Sequence, residues 1–146
     1  MGRPLFRTLL VGHGEQAAER FLLLAVSVSV STFGVLTLGR PVWHSLAGVG
    51  GWLFVTAYLV GTLAFASVYA YRNDGLLVTL VGTFILLLGY AVFIGLTFFL
   101  CVGRCPTLFE RISFGVFLAS GGAVAIGSTA FAVGAGSRRL RERRTT

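Results

Sequence analysis

The only thiols in the chain are Cys101 and Cys105, four residues apart in the stretch CVGRCPTLFER at 101–111. That spacing is open to three chemistries: a structural disulfide, a redox pair, or part of a metal site. Gly103 loosens the chain between the cysteines, and Pro106 disfavours helical geometry at Cys105. The two Cα atoms can therefore approach the separation of about 6 Å that a disulfide needs. A redox pair would draw on Arg104, which can lower a neighbouring thiol pKa. Two free thiols at a surface remain the plainest alternative. A zinc site would need four ligands at tight spacing. His44 would supply a third and Glu110 stands in no recognisable arrangement, so the expectation is no metal and no cofactor. His13 falls on the opposite side of the topology derived below, which removes a site built from both histidines.

The elements that position these residues follow from the distribution of charge. Of 146 residues, 55% are hydrophobic and only 12% charged. A soluble domain carries about twice that share of charge. The 20 glycines fit membrane helices, where small residues let backbones approach. All 12 basic residues are arginine. Four uncharged stretches are each long enough to cross a bilayer: about 21–38, 46–71, 76–103 and 112–136. The expected fold is an all-α integral membrane protein, an antiparallel bundle of four transmembrane helices, in a membrane domain spanning 21–137. Residues 1–20 precede it, with Leu5, Phe6, Leu9 and Leu10 on one side of a short interfacial helix and 14–20 extending the first span. A basic tail at 138–146 follows it.

The segment AVSVSVST at 25–32 alternates apolar and polar residues, the mark of a half-buried strand. A lone strand would leave backbone groups unpaired in hydrocarbon, so helix is expected here too. On that helix Ser27, Ser31 and Gly34 share a narrow face, and Ala57 and Gly61, with Ala64, make a similar seam on the second span. Gly115, Ala119, Ala123 and Gly127 recur every four residues on the fourth, a small-xxx-small ridge. The third span is bulkier, with Phe84, Ile85, Leu86, Leu87, Leu88, Phe93, Phe98 and Phe99, and is expected to be the most lipid-facing. Short connections predict that sequential helices are neighbours.

Arginine asymmetry sets the orientation. With both termini inside, nine arginines are internal and three external, so N-in/C-in is expected and both cysteines then face outward. An oxidising exterior favours the disulfide. Arg138, Arg139, Arg141, Arg143 and Arg144 anchor the topology and contact anionic lipid at the inner surface. Nucleic acid is a less favoured partner, because no aromatic residue is interleaved with these arginines. No ionisable residue lies centrally in any span, which argues against proton relays and ion pathways.

Three functional classes remain. The preferred one is a non-enzymatic structural or accessory membrane protein acting through helix packing, as a homo-oligomer or within a larger membrane complex or envelope. The alternatives are an oligomeric channel or small-solute permeation unit, and a membrane thiol oxidoreductase using Cys101 and Cys105.

Overall fold

A computed structural model describes residues 15–39, 49–73, 75–97 and 105–144. They form four helices: α1 (Glu15–Leu38), α2 (Val49–Asn73), α3 (Leu76–Thr97) and α4 (Leu108–Arg144). All four are long and apolar enough to cross a membrane. The alternating AVSVSVST segment is helical throughout. The Phe98, Phe99 and Cys101 positions, and the N-terminal segment through Gly14, lie outside the described residues.

Local chemistry fixes the helix ends. Before α4, the Thr107 backbone N–H donates to Glu110 Oε2 at 2.6 Å, and the Glu110 N–H donates back to Thr107 Oγ1 at 3.3 Å. This is a capping box, in which two side chains satisfy the amides that the first turn leaves open. Glu110, the sequence's spare metal-ligand candidate, is therefore engaged in holding a helix end. Residues 74 and 75 alone connect α2 to α3. There the Gly75 carbonyl accepts both the Thr79 N–H and the Thr79 hydroxyl.

The chain direction alternates, but the packing is sequential only for α3 and α4. α3 packs extensively on α4 and on α1, and α4 packs on α2, whereas α1 and α2 barely touch. The neighbours α1 and α3 run parallel, as do α2 and α4. This departs from the expected order, because close backbone approach, rather than loop length, selects the partners.

The third helix also departs from expectation. Bulk suggested a lipid-facing α3; instead half of its apolar span is buried, against about a fifth in each of the others. Thr79 and Thr83 are fully buried on it, each hydroxyl donating to the carbonyl four residues earlier. The cause lies in its glycines. At Gly82 a Cβ would overlap the Phe21 ring, at Gly89 the Ser29 carbonyl, and at Gly95 the Arg111 carbonyl. α1 and α4 thus press directly onto the α3 backbone, and the bulky residues between those glycines fill the space around the crossings. Apolarity cannot separate such a core helix from a lipid-facing one, since hydrocarbon is as apolar as leucine.

Candidate functional site

No cluster of three or more His, Cys, Asp or Glu residues that could hold a metal ion occurs among the described residues. Cys105 is exposed in the short stretch before α4. Cys101, its expected partner, and both His13 and His44 lie outside the described residues.

The helix-packing residues separate into two groups. Gly115, Ala119, Ala123 and Gly127 are all buried on the face of α4 that meets α3. A Cβ at Gly115 would come within 2.8 Å of the Ala91 carbonyl oxygen, and one at Gly127 within 2.9 Å of Leu80. Two turns further on, α4 changes partner. A Cβ at Gly134 would overlap the Ser67 carbonyl and reach within 2.8 Å of the Tyr71 nitrogen on α2.

Ser27, Ser31, Ala57 and Gly61 are exposed instead, as is Ala64. Nothing lies within 4 Å of a Cβ added at Gly34 or Gly61. The face of α1 that does pack carries Ala18, Phe21, Ala25, Ser29 and Leu36. Three serines stand at alternate positions, and the bundle takes the middle one. Ser29 Oγ accepts a hydrogen bond from the Gly89 N–H of α3 at 2.9 Å. Ser27 donates to the carbonyl of Leu23 on its own helix at 2.9 Å. The outward hydroxyls of Thr37, Thr56, Ser120, Thr129 and Ser137 are satisfied in the same way. A hydroxyl so bonded can face hydrocarbon without an unpaired donor.

Aromatic residues join the helices where small ones do not. Near the end that carries the arginines, the Phe21 ring stacks on Tyr69 at 4.0 Å and on Phe65 at 5.3 Å. Asn73 Nδ2 donates to the Tyr69 hydroxyl beneath that stack. Higher up, the Tyr58 hydroxyl of α2 donates to the Leu86 carbonyl of α3 and meets the Thr32 side chain of α1. Tyr58 and Ser29 thus pin α2 and α1 to the α3 backbone at neighbouring levels. Tyr90 and Phe54 complete a second aromatic group around Tyr58, with centroid separations of 5.4–6.3 Å. From the sequence Tyr69 and Tyr71 are placed at the inner interface, and neither the stacking of Tyr69 nor the Tyr58–Tyr90 group is anticipated. Their signal was available as tyrosines within helices apolar and long enough to cross a membrane, where a hydroxyl would need a partner.

The arginines are carried on a helix rather than a loose tail. α4 continues through Arg144, and its 37 residues extend about 55 Å, well beyond a hydrocarbon core of about 30 Å. Arg139, Arg141 and Arg143 are exposed and Arg138 is half-buried. The Arg144 side chain lies outside the described residues. Arg141 Nη1 donates to the Tyr71 hydroxyl at 3.2 Å, tying the extension to the end of α2.

No protein-family model matches the chain, and no curated protein or solved structure resembles it at a significant level.

Proposed function

We propose that the chain is a non-enzymatic structural or accessory integral membrane protein that acts through helix packing, as a homo-oligomer or as a subunit of a larger membrane assembly. The observation that carries this reading is the uncovered small-residue surface of α1 and α2. Ser27, Ser31, Ala57, Gly61 and Ala64 are exposed, and open space surrounds Gly34 and Gly61. Small residues on a membrane helix let another backbone approach closely, yet none of the four described helices uses these. Apolar side chains flank them, including Val30, Val35, Leu53, Val60 and Val68, each more than half exposed.

Both termini face the inner side in this reading. Arg20, Arg72 and the α4 extension share one end of the bundle, an asymmetry that favours the cytoplasmic face. The exposed arginines of α4 contact anionic lipid there, at about 1 kcal/mol each. Cys101 and Cys105 pair at the opposite surface. Support for that pairing is the exposed position of Cys105 and the absence of any third cysteine in the sequence.

The test is the mass of the assembly purified in mild detergent. More than one copy, or a stoichiometric membrane partner, is the expected result. A lone chain with nothing bound contradicts the proposal.

A further inference from the structure

α4 carries a second row of small residues, on the side turned away from α3. Gly121, Ala125, Ser128, Ala132 and Gly136 recur every three or four residues, the repeat of one helix face. The first four are exposed and Gly136 is half-buried. Nothing lies within 4 Å of a Cβ added at Gly121 or at Gly136. Continued at the same repeat, this face reaches Arg139 and then Arg143, both exposed. A strip of small residues thus ends in two guanidinium groups one turn apart.

Length and depth fit the strip to a lipid. Gly121 to Gly136 spans about 22 Å, enough for the acyl chains of one leaflet, which is about 15 Å deep. Val124 and Val133, each more than half exposed, flank it. Before Gly121 the face turns bulky, with Phe117 and Leu118 exposed. At the other end Gly134 meets Ser67 and Tyr71, close to the end of α2 at Asn73. Arg139 and Arg143 lie about 8 Å and about 14 Å further along α4 than Gly134. That places Arg139 about level with the end of α2 and Arg143 one turn beyond, the depth of the lipid headgroups.

The charge selects the occupant. Residues 138–144 hold five arginines against one glutamate, so positive charge is in excess however they pair. A second copy of α4 suits this face poorly, because parallel copies would set Arg139 and Arg143 against their own images. A molecule with an apolar tail and an anionic head complements both parts of it.

We propose that this face of α4 holds one anionic glycerophospholipid, its acyl chain along Gly121–Gly136 and its phosphate between Arg139 and Arg143. Guanidinium groups pair with phosphate through parallel hydrogen bonds, and the small residues let the chain lie close against the helix. The inference rests on the membrane-inserted, arginine-inward reading and turns a diffuse contact with anionic lipid into a site of defined residues.

The experiment uses the full chain in nanodiscs of phosphatidylcholine and phosphatidylglycerol with matched acyl chains. Native mass spectrometry of the released protein reads the lipid retained per chain and the number of copies. One phosphatidylglycerol per chain should outlast the bulk lipid. Arg139→Gln and Arg143→Gln should each weaken its retention about tenfold. Arg72→Gln, the same charge change on α2, should leave it within about twofold. Gly136→Leu, which fills the strip without altering charge, should weaken retention severalfold with the melting curve and the copy number unchanged. If Arg72→Gln costs as much as Arg139→Gln and Gly136→Leu costs nothing, the site is overturned and diffuse lipid contact survives. A Gly136→Leu protein with fewer copies overturns it in favour of a helix on the strip. Equal retention of phosphatidylcholine overturns the site and the anionic-lipid contact together.

Discussion

The buried face of α4 and the outer faces of α1 and α2 carry similar residues and do opposite things. On α4, Gly115 and Gly127 sit where a single added carbon would strike α3. On α1 and α2, Gly34 and Gly61 have the same chemistry with nothing within 4 Å. A small residue is thus a permission for close approach rather than an instruction. What distinguishes the two regions is whether the facing helix offers its backbone. α3 does so at Gly82, Gly89 and Gly95, and its partners come to those points. The outer faces of α1 and α2 offer the same invitation with no taker among the described residues.

Substitutions at the two kinds of glycine should therefore separate folding from assembly. The largest effect is expected for Gly115→Leu, whose side chain has no route past the Ala91 and Val92 backbone. Overpacking of this kind costs about 3 kcal/mol, and a large drop in the thermal midpoint followed by helical circular dichroism in detergent would register it. Thr107→Ala removes one half of the capping box and should cost about 1 kcal/mol, read by the same melting curve. Ser29→Ala removes the acceptor of the Gly89 amide and should cost about 0.6 kcal/mol, the average for polar contacts between membrane helices. The smallest effect on folding belongs to Gly61→Leu, which should stay within about 0.5 kcal/mol of the parent because its site is open. A Gly61→Leu protein that melts as low as Gly115→Leu would erase the distinction between the two regions.

Much of the architecture was legible from the sequence because charge interrupts it so cleanly. Arg72 with Asp74, and Arg104 with Glu110 and Arg111, mark the boundaries of spans that become α2, α3 and α4. The direction of each helix follows from that alone. The packing order was not legible. In a bilayer the bundle interior and the lipid are both apolar, so the leucines and phenylalanines of α3 gave no sign of which they faced. The useful signal was the spacing of Gly82, Gly89 and Gly95, which look like flexible points and are in fact contact points. Among Ser27, Ser29 and Ser31 the choice rested on a facing amide at Gly89, contributed from 60 residues away. Local periodicity has no access to that. The continuation of α4 through Arg144 was hidden for a different reason. Its arginines mark the end of the apolar run, but a helix does not end with its hydrophobicity, and the Arg141–Tyr71 contact lends the extension a partner.

The uncovered faces of α1 and α2 are the heart of the proposed function, and native mass spectrometry of the full chain released from lipid nanodiscs addresses them most directly. The parent protein should appear as two or more copies, or as one copy with a stoichiometric partner, and Gly61→Leu should appear as the single chain. A single chain for both proteins would contradict the account.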